Sequence, residues 1–272
     1  MPKRLSDLIV IIRGAGEMAT GTACRLHRAG MFRLLMTEIP QPLAVRRMVS
    51  FSEAVYEQTW VVEGIRAASI RFADESHHLW RKRIVPVIVD PDNISGRFLG
   101  PHILVDAILA KQNLGTAMGD ADLVIGMGPG FYAGRDVHYA VETNRGHDLG
   151  RLIERGEAAP DTGVPGEIAG HTALRVIRSP SAGLFASDLK IGTTVEGGQV
   201  VGYVSDSPVE SRLGGVLRGL VRSGIFVPEG LKIGDVDPRG DTSYCTRISD
   251  KARAIGGTVL EAILTKYNSV AT

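Results

Sequence analysis

The sequence predicts an α/β chain in three parts: a parallel-sheet domain over residues 1–165, a smaller all-β domain over 166–246, and a helical extension over 247–272 that returns to the first domain. Three observations predict it. Apolar runs of strand length at 8–12, 84–89 and 121–125, the last interrupted only by Asp122, alternate with helix-period stretches, the pattern of strands buried on both faces. Past a proline- and glycine-bearing connection at 155–166, that pattern gives way to short apolar runs at 172–177, 183–186, 200–204 and 216–221, separated by glycines. Helical spacing resumes near the end, where Ser249 or Asp250 caps a segment leading into 258–264.

Composition narrows the class further. A chain of 272 residues with 44% hydrophobic content can bury the cores of two modest domains. Its 31 basic and 30 acidic residues nearly cancel, which gives no compositional case for bulk nucleic-acid binding or an anionic membrane surface. Cys24 and Cys245 lie too far apart in sequence for a disulfide scaffold or a zinc-ligand pattern, so packed thiols in a reducing cytoplasm are expected. The first apolar run is broken by Arg13 and glycines, too short for a signal-peptide core or a membrane span.

Along the first half, the run at 8–12 reads as a buried strand, followed by Arg13-Gly14-Ala15-Gly16-Glu17-Met18-Ala19-Thr20-Gly21 and a helix over 22–29. This phrase resembles a Rossmann fingerprint with Ala19 at its third small position. In that reading Gly14 permits the turn, Gly16 the close approach of a phosphate and Ala19 tight helix packing, while the helix N-terminus favours an anion. A second strand over 32–37 ends in Glu38, where a ribose-binding acid is expected. Arg13 and Glu17 alter the charge of the cradle, and Glu17 alternatively caps the helix. The fingerprint implies geometry more strongly than ligand, so the loop serves either a nucleotide or another partner on the same scaffold.

Pro40 and Pro42 stop the second strand, and Arg46-Arg47 then offer two cations near the expected ligand edge, either as phosphate neutralisers or as a solvated face. Short segments at 52–56 and 60–65 place Glu63-Gly64 at a turn, and 74–82 reads as a surface helix before the strand at 84–89. His77-His78 do not make a metal site, because adjacent helical side chains do not face one point. The stretch 103–113 is either a strand that becomes helical, projecting Asp106 and Lys111 from its functional end, or wholly helical with those two on different faces.

The strand at 121–125 delivers the chain to Gly126-Met127-Gly128-Pro129-Gly130-Phe131 and a polar train of Asp136, His138, Glu142, Asn144, Arg145, His147 and Asp148. A glycine turn at a strand's C-terminal end lets backbone amides approach a flat or anionic ligand, and the train supplies more ionisable groups than a turn requires. His138 and His147 are candidate acid–base groups, with Asp136, Glu142 and Asp148 able to orient a base; no spacing here fixes a metal geometry.

In the second half, the phrase at 189–204 is echoed at 220–236, each a turn, a polar-glycine step and a valine-bearing run. The pair resembles the two halves of a biotinyl/lipoyl-type barrel-sandwich hybrid. The modified lysine of such domains is absent between them, at 207–215, which disfavours covalent lipoate or biotin and leaves bracing, docking or pocket covering as roles.

Long phrases across almost the whole chain carry a second resemblance: Arg13-Gly14-Ala15-Gly16-Glu17, Val105-Asp106-Ala107-Ile108-Leu109-Ala110-Lys111, Gly128-Pro129-Gly130-Phe131, Glu142-Thr143-Asn144-Arg145-Gly146-His147, Lys232-Ile233-Gly234-Asp235-Val236-Asp237-Pro238-Arg239 and 249–257. They look like the YqeB-type accessory family of selenium-dependent molybdenum hydroxylase systems. The resemblance implies maturation or activation of a client molybdenum hydroxylase. The chain itself lacks the iron–sulfur cysteines and the size of such an enzyme. On this reading Gly14, Gly16, Glu17, Gly21 and Glu38 surround a phosphate-bearing cofactor, either molybdopterin or a nucleotide. Arg46 and Arg47 neutralise it, and Gly128, Gly130, Asn144 and Arg145 contact the rest. Asp106, Lys111, Glu142 and His147 orient groups or move protons. An NAD(P)-dependent oxidoreductase and an inert client-binding chaperone are the alternatives, and a small homo-oligomer that completes a cleft fits any of the three.

Overall fold

A computed structural model describes residues 4–268. The chain divides into two compact units, one of Met1–Pro42, Phe51–Asp161 and Ile248–Thr272, the other of Leu43–Ser50 and Thr162–Arg247. In the first unit the apolar runs become β1 (Val10–Arg13), β2 (Leu34–Glu38), β3 (Thr59–Val62), β4 (Ile65–Ile70), β5 (Val85–Val89), β6 (Ile103–Asp106), β7 (Leu123–Met127), β8 (Tyr132–Ala133), β9 (Tyr139–Val141), β10 (Leu152–Ile153) and β11 (Gly156–Glu157). Its helices are α1 (Glu17–Arg28), α2 (Glu53–Glu57), α3 (Ser76–Arg81), α4 (Ile94–Phe98) and α5 (Asp250–Tyr267).

Among the described residues nine of these strands form one sheet in the order β10-β9-β7-β6-β1-β2-β5-β4-β3. Every neighbouring pair from β4 to β9 is parallel, and antiparallel β3 and β10 flank the two edges. The order reverses at β1, which lies between β2 and β6. Val10, Ile11 and Ile12 of β1 are all fully buried although successive side chains point to opposite faces, as a strand covered on both sides requires. Ile11, Leu35, Leu104 and Val124 share one core layer across β1, β2, β6 and β7. The expected turn at Glu63-Gly64 joins β3 to β4, with positive φ at both residues (46° and 81°), the backbone of a tight hairpin.

Helix α5 begins at Ser249, whose side chain accepts from the Ala252 N–H at 3.2 Å. It packs along α1, where small residues let two backbones approach. A Cβ on Gly21 of α1 would stand 2.8 Å from the Ala252 Cβ, and one on Gly256 of α5 would stand 3.1 Å from the Gly21 carbonyl oxygen. Gly21 therefore lies inside a helix at a helix–helix contact, a turn beyond the position of a phosphate-facing loop residue. The stretch 103–113 is also corrected: β6 ends at Asp106 and no helix follows. Leu109 and Lys111 sit at φ of 60° and 63°, which an α-helix forbids, and the Asp106 carboxylate draws the Ile108 N–H into a local turn at 3.2 Å.

The second unit contains β12 (Val176–Arg178), β13 (Gly183–Ala186), β14 (Thr194–Val195), β15 (Val200–Val204), β16 (Ser207–Glu210), β17 (Gly215–Leu220), β18 (Ile225–Val227) and β19 (Lys232–Asp237). They form two four-stranded antiparallel sheets, β12-β19-β17-β14 and β16-β15-β13-β18, around one shared core that includes Phe185, Val201, Val204, Leu217, Val227 and Ile233. The echoed phrases map onto β14–β15 and β18–β19. Each sends its short strand to one sheet and its long strand to the other, in opposite senses.

Arg46 and Arg47 belong to this second unit. Arg46 donates to the carbonyls of Tyr244 (2.8 Å) and Arg247 (2.9 Å), and the Arg47 Nε to that of Leu220 (2.7 Å). Fully buried Asp235 takes Arg175, Arg218 and Lys232, while Asp237, also fully buried, takes Arg218 and Arg239. Burial pushes both carboxyls upward, yet these cations hold them below the ordinary carboxylate range.

On helix propensity alone Gly21→Ala stabilises α1 by about 1 kcal/mol. The contact with Ala252 reverses that sign, and we expect a loss of about 1–3 kcal/mol, read as a lowered thermal midpoint by far-ultraviolet circular dichroism.

Candidate functional site

Parallel pairing sets Thr37, Arg13, Asp106, Gly126 and Ala140 in one row across β2, β1, β6, β7 and β9. The loops that leave these strands therefore share one edge of the sheet, where open α/β sheets place ligands, and the reversal of order lies between β1 and β6. The candidate residues distribute themselves along this edge in two groups with different fates.

The first group is absorbed by the fold. Arg13, buried at the end of an apolar strand, donates to Asp106 (3.1 Å), to the Thr116 hydroxyl (2.5 Å) and to the Leu114 carbonyl (3.3 Å). The Thr116 hydroxyl donates in turn to Asp106 at 2.6 Å. Asp106 is thus a paired, buried carboxylate that anchors the 107–116 loop. That loop runs close over Gly14, whose φ is 92° and whose added Cβ would stand 3.1 Å from the Ala107 carbonyl oxygen. The glycines after β7 serve the same closure. Gly128 and Gly130 have φ of 81° and 103°; a Cβ on the first would meet the Thr143 hydroxyl at 2.7 Å and one on the second the Gln112 backbone at 2.6 Å.

Part of the polar train is likewise committed. Glu142 is buried and accepts the Asn144 and Ala159 N–H groups, each at 2.7 Å. Lys111 pairs with Asp161 at 2.6 Å, and Arg145 makes a two-pronged bridge to Asp250 at 2.8 and 2.9 Å. Asn144 and His147 are exposed. His138 accepts the Val124 N–H on its Nδ1 at 3.0 Å, which places the neutral ring's proton on Nε2. Burial, with the charge of Lys266, lowers its pKa. Among the described residues no cluster of three or more His, Cys, Asp or Glu could hold a metal ion. Burial raises both thiols, Cys24 to about 12, so neither is a thiolate at neutral pH.

The second group stays open, at the start of α1. Gly16 is the N-cap residue, with extended backbone and no side-chain cap, and a Cβ built on it meets nothing within 4 Å. The first-turn amides of a twelve-residue helix thus face a position with room, at the end of the helix that carries partial positive charge. Glu17 is the first residue of the helix. Glu38, at the tip of β2, accepts the Ala15 N–H at 2.9 Å and the Ile39 N–H at 2.8 Å. Burial raises its carboxyl, against the pull of those two amides. Glu38 thereby clasps the glycine loop to the second strand.

Sequence reasoning passed over Thr116, Gln112 and Thr143. One signal was available: an arginine closing an apolar strand must find a carboxylate, and Asp106 closes the next apolar strand in register with it. A cavity of about 250 Å³ in the second unit, lined by Val164, Pro165, Val176, Arg178 and Arg212 among others, holds none of the sequence-predicted residues.

The chain is 47% identical over 256 residues to the uncharacterized protein YqeB of Escherichia coli (strain K12), an alignment covering 94% of this chain and 47% of that protein. This likeness supports the YqeB-type family. The chain spans about half the length of that relative. No protein-family model matches the chain. Among solved structures it is similar to the E. coli tRNA N6-threonylcarbamoyladenosine dehydratase TcdA in complex with ATP, at 11% identity over 98% of this chain and 90% of that one, with a TM-score of 0.36. An aspartoacylase family protein from Mesorhizobium loti is similar at 12% identity, covering 84% of each chain, with a TM-score of 0.27. At such scores neither structure bears on what this chain binds. No helix among the described residues is long and apolar enough to cross a membrane.

Two outcomes follow from these contacts. Asp106→Ala strands the buried Arg13 guanidinium and is expected to cost about 3–5 kcal/mol in denaturant titration. Because the folded pKa of His138 lies below the ordinary 6.5, the unfolded chain binds more protons in that interval, so its contribution is complete above about 6.5 and is lost as pH falls toward the folded value. His138→Asn, which keeps an acceptor for Val124, is expected to flatten this part of the thermal midpoint's pH profile.

Proposed function

We propose that this chain is an accessory protein that binds a phosphate-bearing small molecule at the glycine turn before α1 and serves a client molybdenum hydroxylase. One observation carries the reading: the uncapped first turn of α1, with open space at Gly16. Backbone amides at a helix N-terminus suit a phosphate, and the Rossmann-like reversal of strand order beside β1 is where such folds hold nucleotides or pterin-type cofactors. Gly16 and the first-turn amides after it would hold the phosphate through backbone, with Gly14 shaping the turn before them and Ala19 and Gly21 behind them in the helix. Bound there, a molybdopterin-type cofactor would supply the dithiolene that ligates molybdenum in the client.

The residues fit binding better than turnover. Asp106, Glu142 and Lys111 are each held by an internal partner, so the groups suited to acid–base work do not converge on the phosphate turn. The barrel-sandwich reading of the second unit assigns it a bracing or docking role. The selenium and molybdenum connection rests on the long phrases shared with the YqeB-type family. One feature favours a second reading, an NAD(P)-dependent oxidoreductase: Glu38 stands at the tip of the strand next to β1, where a ribose hydroxyl would be recognised.

Mass spectrometry of small molecules retained by the purified chain separates these readings, since a pterin supports the accessory role and a dinucleotide with turnover supports the oxidoreductase. Gly16→Asp tests the site itself. A carboxylate at the N-cap gains a few tenths of a kcal/mol for α1 while opposing a bound anion, so the variant is expected to fold at least as stably and to lose the ligand. Ligand retained by Gly16→Asp sinks the assignment.

A further inference from the structure

Two open sheets that share a core leave a seam where an edge strand of one meets an edge strand of the other. In the second unit β12 ends one sheet, β16 ends the other, and the two strands lie against each other. The cavity of about 250 Å³ sits at this seam. Val176 and Ile177 of β12, buried at 3% and 2% exposure, give it an apolar wall together with Val164 and Pro165 of the connection. Its charged lining is Arg178, Glu210 and Arg212, all exposed.

The backbone around these groups is fixed before any ligand arrives. The β12 ladder shifts register between Ile177 and Arg178, and the β15–β16 ladder shifts beside Glu210, where Val200 faces Glu210 but Gly202 faces Val209. Such bulges bend a strand and re-aim its side chains. Between Glu210 and Arg212, buried Ser211 donates its N–H to the Gln199 carbonyl at 2.9 Å, accepts the Gly198 N–H at 2.7 Å and donates its hydroxyl to the Leu213 carbonyl at 2.7 Å. Arg175 donates to the Gly166 carbonyl at 3.0 and 2.8 Å, next to Pro165, and is itself held by buried Asp235. Arg178 donates once, to the Gly230 carbonyl at 2.9 Å. Among the described residues the side chains of Glu210 and Arg212 have no hydrogen-bond or ion-pair partner.

We infer that this seam binds a small zwitterion of the α-amino-acid type with an aliphatic side chain. The mixed charge selects it. A simple anion brings a like charge to Glu210, a simple cation faces two guanidinium groups, and a neutral apolar molecule takes charges from water without pairing them. A carboxylate on Arg212 and Arg178, an ammonium on Glu210 and an aliphatic body along Val176 and Pro165 meets every group in the lining. The size agrees. A space of about 250 Å³ holds roughly eight water-sized groups at about 30 Å³ each, the scale of leucine rather than of a dinucleotide. This site is independent of the phosphate turn, which belongs to the other unit.

Isothermal titration calorimetry of the full chain with L-leucine tests this, and saturable one-to-one binding is expected. Glu210→Gln and Arg212→Gln, both at exposed positions, should each weaken it by about tenfold or more with the thermal midpoint kept. Isocaproate, which lacks the ammonium, and isoamylamine, which lacks the carboxylate, should each bind more weakly than leucine by a similar factor. Glu196→Gln, at an exposed carboxylate of the same unit outside the cavity lining, should leave binding unchanged. The inference is overturned by an absence of saturable binding up to about 10 mM leucine, by binding that survives both Glu210→Gln and Arg212→Gln, or by isocaproate binding as tightly as leucine.

Discussion

The buried Arg13–Asp106 pair is the interaction on which the first unit's working edge depends. Parallel strands buried on both faces leave no solvent for a charge at their ends, so an arginine closing β1 must be neutralised inside the protein. Asp106 does this from the adjacent strand, and Thr116 bridges both groups. The consequence is topological as well as electrostatic. The 107–116 loop is tied down at both ends, lies against Gly14, and brings Gln112 against Gly130. Gly14 after β1 and Gly130 after β7 are thus needed because the 107–116 loop crosses them.

The second unit meets the same constraint with more charge. Asp235 and Asp237 lie on the strand shared by β12 and β17 and each collects more than one cation. Removing ions from water costs several kcal/mol apiece, and the arrangement offsets that cost through two-pronged guanidinium contacts and shared partners. The same logic holds the 43–50 segment in this unit. Arg46 donates to the carbonyls of Tyr244 and Arg247 and Arg47 to that of Leu220, and the missing Cβ of Gly219 leaves room for the Val45 backbone.

Much of this was legible in the sequence, and the part that was not has a physical reason. Apolar runs, the Glu63-Gly64 turn and the Ser249 cap are local signals, set by side-chain period or by one residue's backbone preference, and they read directly. The echo between 189–204 and 220–236 was visible too, because each phrase must supply one short and one long strand to a common core. The strand-then-loop behaviour at 103–113 was not. An apolar stretch of that length suits a helix as well as a strand, and Leu109 and Lys111 take positive φ in a loop whose first anchor, Asp106, pairs with Arg13 from 93 residues away. The contacts of Arg46 and Arg47 were illegible for a related cause: sequence proximity to β2 said nothing about carbonyls at Leu220, Tyr244 and Arg247.

That difference between local and distant causes also bears on where the proposed phosphate site lies. The train from Asp136 to Asp148 is dense in ionisable groups, and density in sequence reads as chemistry. In the folded chain Glu142 caps two amides, Arg145 holds Asp250, and His138 accepts from the neighbouring strand. The start of α1 has no side-chain cap, and a Cβ on its N-cap glycine would meet nothing within 4 Å. A phosphate site built from amides needs space and absence of side chains more than it needs charge, so Gly16 is conspicuous through what surrounds it rather than through its own chemistry. With Glu38 bound to Ala15 N–H, the loop is held in shape before any ligand arrives, which lowers the ordering cost of binding.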